Sequence, residues 1–84
     1  MKDTDTPYFV YILLCKDKTL YCGITTDIRR RLQEHQKGIG AKYTRARGVE
    51  KIIHKEKFKN RSDASKRESA IKKLSKEEKL ALCS

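Results

Sequence analysis

The run Tyr8-Phe9-Val10-Tyr11-Ile12-Leu13-Leu14-Cys15 is apolar on both of its alternations and rich in aromatic and β-branched residues. That pattern predicts a strand covered on both faces, the central one of its sheet. Lys16-Asp17-Lys18 has turn character, and Thr19-Leu20-Tyr21-Cys22-Gly23-Ile24 again favours strand, so the two runs are expected to form a hairpin. Thr25 or Thr26 can cap a helix that follows. In it Asp27 suits the positive end of the dipole, Ile28 and Leu32 form an apolar i, i+4 pair, and the helix should stop near Gly38. From Gly38 to Gly48 no clear period survives and a loop is expected, with a short helix over Ala41 to Arg47 as the alternative. Val49 to Phe58 reads as a third strand. Ser62-Asp63 opens a second helix, and the capping box Ser75-Lys76-Glu77-Glu78 opens a third. The expected fold is α+β, a three-stranded antiparallel sheet flanked by helices in the order ββαβαα. Residues 1–7, polar and ending in Pro7, form an extended lead-in, and residues 8–84 form one domain.

Eighty-four residues with 37% hydrophobic content suffice for one small core. The formal charge of +10 exceeds what solubility requires of so short a chain, so a polyanionic partner is expected. Residues 1–24 carry equal numbers of acidic and basic groups, whereas residues 25–47 and 48–84 each carry a net +5. A solvated lysine-rich surface and a membrane surface are the competing explanations. Arginines clustered beside tyrosines favour nucleic acid, with DNA the expected form. Cys15, Cys22 and Cys83 lack the spacing of a structural zinc site and read as free thiols of a reducing compartment. The apolar run from Tyr8 to Cys15 is far too short to span a bilayer, and a cytoplasmic, monomeric protein is expected.

Five residues are the candidates for chemistry. Tyr11 and Tyr21 share a sheet face if the loop between the strands has an odd number of residues, and ordinary cross-strand packing is the alternative reading. Arg31 and His35, at i and i+4, are neighbours on one face of the first helix, where an exposed basic face is the plainer account. Glu68 falls on the stripe Ala64, Glu68, Ile71 of the second helix. A carboxylate placed there needs a cation, which could be a metal, Arg31 or Lys72 one turn away. Lys42, Tyr43, Thr44, Arg45 and Arg47 interleave basic, hydroxyl and aromatic groups, suited to a phosphate backbone or an unpaired base. Gly38 and Gly40 are assigned loop flexibility only.

Val10-Tyr11-Ile12 and Tyr21-Cys22-Gly23 resemble the two strand motifs that name the GIY-YIG nuclease superfamily. The blocks from Gly23 to His35, from Gly40 to Arg45 and from Arg67 to Leu74 extend the resemblance over about residues 8–82, to the small stand-alone branch of that superfamily. The resemblance implies metal-assisted hydrolysis of a nucleic-acid phosphodiester. Tyr11 or Tyr21 would be the general base, Arg31 would stabilise charge, His35 would rank second, and Glu68 would be the single ligand of one Mg²⁺ or Mn²⁺ ion. Arg29, Arg30, Lys42, Tyr43, Arg45, Arg47, Lys72 and Lys73 are the candidate nucleic-acid contacts. Two departures stand out. Ile24 occupies a position where some members carry lysine, and residues 76–84 offer no counterpart to an asparagine of many larger members. A binding module that keeps the scaffold without useful catalysis is the rival expectation.

Overall fold

The computed structural model describes residues 6–83, in which β1 (Tyr8–Cys15), β2 (Leu20–Thr25), α1 (Ile28–Gln36), α2 (Lys42–Arg47), β3 (Val49–Phe58), α3 (Arg61–Lys72) and α4 (Lys76–Leu82) follow in order. The fold is α+β, an antiparallel sheet ordered β2-β1-β3 with helices on both faces. β1 is the central strand, and its two faces are equally dry. Val10 and Ile12 are fully buried on one side, and Tyr11 and Leu13 are 2% and 0% exposed on the other. The expected lead-in over residues 1–7 lies mostly outside the described residues.

The hairpin between β1 and β2 fixes which side chains share a face. Cys15 N–H donates to the Thr19 carbonyl (2.8 Å) and Lys18 N–H to the Cys15 carbonyl (2.9 Å), which leaves Lys16-Asp17-Lys18 as a three-residue loop. Lys18 takes φ 71°, the left-handed position such a loop requires. The odd loop length sets Leu13 opposite Tyr21 and Tyr11 opposite Gly23. Tyr11 and Tyr21 therefore lie diagonally on one face.

Each face has its own helices. Val10, Ile12 and Cys22 pack with Ala64 and Ile71 of α3, whereas Tyr11, Leu13 and Val49 pack with Tyr21, Ile28, Leu32 and Ile52. Glu56 of β3, on the α3 side, accepts two hydrogen bonds from the Arg67 guanidinium (2.8 and 3.1 Å) and ties α3 to that strand. Hydrogen bonding by Arg67 holds the Glu56 carboxyl below its ordinary range.

Several boundaries differ from the sequence reading, each for a local reason. The cap of α1 is Asp27, whose carboxylate accepts from Arg30 N–H (3.0 Å), because Thr25 is occupied in a turn that accepts from Asp27 N–H (3.1 Å). Asn60 rather than Ser62 caps α3, its side chain accepting from Asp63 N–H (2.8 Å). The expected loop contains α2, one and a half turns held by Thr44 and its neighbours. The capping box of Ser75 and Glu78 forms as expected, with reciprocal bonds of 2.8 and 3.1 Å.

Gly23 makes room for the Tyr11 ring. A methyl group there would stand 2.6 Å from the Tyr11 hydroxyl oxygen and 2.9 Å from Cζ, closer than packed carbons come. Gly23→Ala is therefore expected to lower stability by about 1–3 kcal/mol, measured by urea denaturation. An unchanged midpoint would show that the ring moves aside freely.

Candidate active site

The elements of the Tyr11 face deliver four of the five candidates to one place. β1 supplies Tyr11, β2 supplies Tyr21, and α1 supplies Arg31 and His35 from adjacent turns. His35 is 1% exposed. Its Nε2 lies 3.0 Å from the Tyr11 hydroxyl and its Nδ1 lies 2.7 Å from Thr44 Oγ1. Thr44, fully buried on α2, donates its hydroxyl proton to the Ala41 carbonyl (3.0 Å).

The direction of this chain follows from counting protons. A threonine hydroxyl has one hydrogen, and when Thr44 directs it to Ala41 the Thr44 oxygen can only accept from His35. Nδ1 of His35 must then carry a proton. In the neutral ring that leaves Nε2 bare to accept from Tyr11 O–H. Burial first, and the Arg31 charge second, hold the His35 pKa below its ordinary value, which keeps the ring neutral. The sequence Tyr11 O–H to His35 to Thr44 to Ala41 is thus a single directed relay.

Tyr11 itself is a reluctant acid. Burial pushes its hydroxyl up to about 12, against a hydrogen-bonding pull from Arg31, which lies beside it. Arg31 in turn donates to Glu34 (2.9 Å), and that pairing, more than Tyr11, raises its own pKa. The guanidinium is about one-third exposed, so one side faces the hydroxyl and carboxylate while the other reaches solvent.

Tyr21 sits among rings. Its centroid is 5.2 Å from that of His35, 6.4 Å from Tyr11 and 5.9 Å from Tyr43, the last at an interplanar angle of 31°. Arg47 covers the Tyr43 ring at 4.3 Å and is anchored by Asp17 at 2.7 Å. Hydrogen bonds from Thr19 and then Arg47 draw the Asp17 carboxyl down to about 2. Of the candidate nucleic-acid contacts, Tyr43 and Arg47 thus join this face through ring and ion-pair contacts. Arg29, Arg30, Lys42 and Arg45 are exposed on α1 and α2.

Glu68 is placed apart. It rides on α3, against the opposite face of the sheet, on the stripe of Ala64 and Ile71. Its carboxylate pairs with Lys72 (3.2 Å), leaving Glu68 21% exposed, and it lies close enough to Cys22 to help burial raise that thiol to about 11. Cys22 and Gly23 are consecutive on β2, an edge strand. The carboxylate and the Tyr11 cluster therefore flank the same stretch of the edge strand β2 from opposite faces. Lys73 caps the C-terminus of α3.

Three residues outside the candidate list shape the site. Thr44 orients His35, Gly23 admits Tyr11, and Gly40 presses on the imidazole, where a methyl group would come within 2.8 Å of Cε1. Gly38, at φ 81°, ends α1 with Gly38 N–H to His35 O (3.1 Å) and Ile39 N–H to Glu34 O (2.9 Å). Both glycines thus meet steric and dihedral demands in addition to the loop flexibility assigned to them. A glycine pair in a basic segment was the only sequence signal for this.

The hairpin, the helix that follows it and the rest of the α+β fold match the GIY-YIG catalytic domain over residues 7–81. The chain belongs to the GIY-YIG family, within its small UPF0213 branch. It is 49% identical over 76 residues to the UPF0213 protein CPE1444 of Clostridium perfringens, covering 90% of this chain and 82% of that one. Two solution structures are similar. One is the UPF0213 protein BH0048 of Bacillus halodurans, with 42% identity, a TM-score of 0.57 and coverage of 90% and 81%. The other is EF2693 of E. faecalis, with 49% identity, a TM-score of 0.60 and coverage of 90% and 82%. Among the described residues no helix is long and apolar enough to cross a membrane.

The buried neutral imidazole makes stability depend on pH with a definite sign. Because the folded pKa of His35 is depressed, the unfolded chain binds the extra proton first, and stability falls as pH drops below about 6.5 until the folded form also titrates. Urea midpoints measured from pH 7.5 to 5 should decline more steeply for the wild type than for His35→Gln. Parallel curves would mean that the imidazole is free to charge in the fold.

Proposed function

We propose that this protein is a metal-assisted nuclease that hydrolyses a nucleic-acid phosphodiester, with the Tyr11–His35 pair as its general base. The observation that carries this reading is the Tyr11 hydroxyl held 3.0 Å from His35 Nε2, with Thr44 Oγ1 2.7 Å from Nδ1 on the far side of the ring. A phenol with a pKa near 12 is a poor base alone. Coupled to a bare imidazole nitrogen it becomes a conduit: water gives a proton to the Tyr11 oxygen as Tyr11 gives its own to Nε2. The resulting hydroxide attacks phosphorus, the ester oxygen leaves and takes a proton from solvent, and His35 later releases its proton to solvent. Nδ1–H stays bonded to Thr44 throughout, so the ring does not turn. Arg31 stabilises charge on the non-bridging oxygens, exchanging part of its Glu34 pairing for phosphate.

Tyr21, packed between His35 and Tyr43, positions the pair. The basic exposed residues Arg29, Arg30, Lys42 and Arg45 hold the backbone, and Lys72 and Lys73, exposed at the end of α3 against the opposite face of the sheet, form a separate basic pair.

Among the described residues no group of three or more His, Cys, Asp or Glu side chains is arranged to hold a metal ion, so a closed protein cage is not the design there. The donor available is one carboxylate, which fits a hard Mg²⁺ or Mn²⁺ ion that keeps most of its waters and takes further oxygens from a phosphate. Glu68 would hold it, with Lys72 as the cation it replaces. Such an ion, when bound, would supply Lewis-acid stabilisation of the leaving oxygen. A binding-only reading draws on the same contacts, because Arg31 and Glu68 already have partners within the protein.

Purified protein incubated with DNA and RNA substrates, with and without Mg²⁺ or Mn²⁺, should nick only when metal is present. Tyr11→Phe and Arg31→Ala are each expected to lower the rate about 10²–10³-fold, and Glu68→Gln to abolish the metal requirement together with the activity, while salt-sensitive binding persists. Cleavage surviving in all three variants would remove the site assignment. Binding without metal-dependent cleavage in the wild type would leave the binding module.

A further inference from the structure

Ile39 is 68% exposed, the most exposed large hydrophobic side chain among the described residues. Its position gives it a structural role to fill that it does not fill. In the motif that ends α1, the residue whose N–H reaches back to Glu34 ordinarily packs an apolar side chain onto the helix residue it bonds. Here that residue is Glu34, a carboxylate engaged by Arg31, and the residue before it is the exposed Gln33. Ile39 therefore has no apolar partner at these two helix positions, in keeping with its exposure.

Its backbone is nevertheless held firmly. The Ile39 N–H is bonded to Glu34 O at 2.9 Å, Gly38 is locked at φ 81° with Arg45 against it, and Gly40 is wedged on the His35 ring. The isoleucine thus directly precedes Gly40, the residue that lies against the His35 imidazole. Lys37 and Lys42, close to it along the chain, and Arg45, beside Gly38, are all exposed. Cations attract a polyanion, and a branched apolar side chain among them matches the wedge that nucleic-acid-bending proteins insert between base steps. Solvation alone would favour a polar residue at that tip.

We propose that Ile39 is a wedge that enters a nucleic acid at a break in its base stacking, so that the site selects bulged, mismatched or branched duplex over continuous duplex. This rests on the nuclease reading for its partner, yet it concerns recognition and is read without cleavage. Unstacking costs least where stacking is already interrupted, which makes a wedge a device for structure selection rather than sequence selection.

The test is binding in EDTA to two labelled duplexes of identical flanking sequence, one continuous and one carrying a two-nucleotide bulge beside 2-aminopurine. The wild type should favour the bulged duplex about tenfold and raise the 2-aminopurine fluorescence on binding. Ile39→Ser should bind both duplexes within about twofold of each other and lose the fluorescence rise, while Ile39→Leu keeps both. Selectivity and fluorescence unchanged in Ile39→Ser would overturn the wedge. Equal binding of both duplexes by the wild type would overturn it while leaving the phosphodiester reading intact, and binding of neither at low salt would defeat both.

Discussion

One hydrogen bond organises the Tyr11 face of this protein. The phenol of the central strand meets the imidazole of the first helix, and neither group could be buried without the other. A phenol and an imidazole out of water each leave a polar atom that must be paired, or cost on the order of 1–3 kcal/mol. The Thr44 hydroxyl and the Ala41 carbonyl complete the pairing, and the short helix over Ala41 to Arg47, the alternative to a loop in the sequence, is the form taken, as α2. Among the described residues no buried side-chain nitrogen or oxygen is left without a partner.

Space for that bond is made by two glycines rather than by the polar groups themselves. Gly23 lets the Tyr11 ring lie across β2, and Gly40 lets the α1–α2 connection close on the imidazole. The same closeness that excludes water also raises the Tyr11 pKa and lowers that of His35. For the proposed proton transfer these opposing shifts are useful. The phenol stays protonated as a donor and the imidazole stays neutral as an acceptor at neutral pH, so the relay is set before substrate arrives.

Much of this was legible in the chain before folding. Continuous apolar character marked β1 as central, and Val49 to Phe58 formed the third strand with the expected bounds. The three-residue turn placed Tyr11 and Tyr21 on one face through parity alone, and the i, i+4 spacing of Arg31 and His35 brought both beside them. Less legible was the reach of single side chains. Threonine in a basic segment carries no pattern that distinguishes a solvated hydroxyl from one that bonds a buried ring, so Thr44 was read as a nucleic-acid contact and not as the partner of His35. Helical spacing identified the stripe of Glu68 but not which sheet face α3 would cover. That choice depends on the connection after β3 and on the Glu56–Arg67 clamp, both tertiary.

The directed relay is most directly tested by the proton on His35. Two-bond ¹H–¹⁵N correlation of labelled protein at neutral pH reports which ring nitrogen is protonated. A neutral ring with the proton on Nδ1, retained in Tyr11→Phe and lost in Thr44→Val, is the result the account predicts. A proton on Nε2, or an imidazolium, would contradict it, since Tyr11 could then no longer hand its proton to the ring.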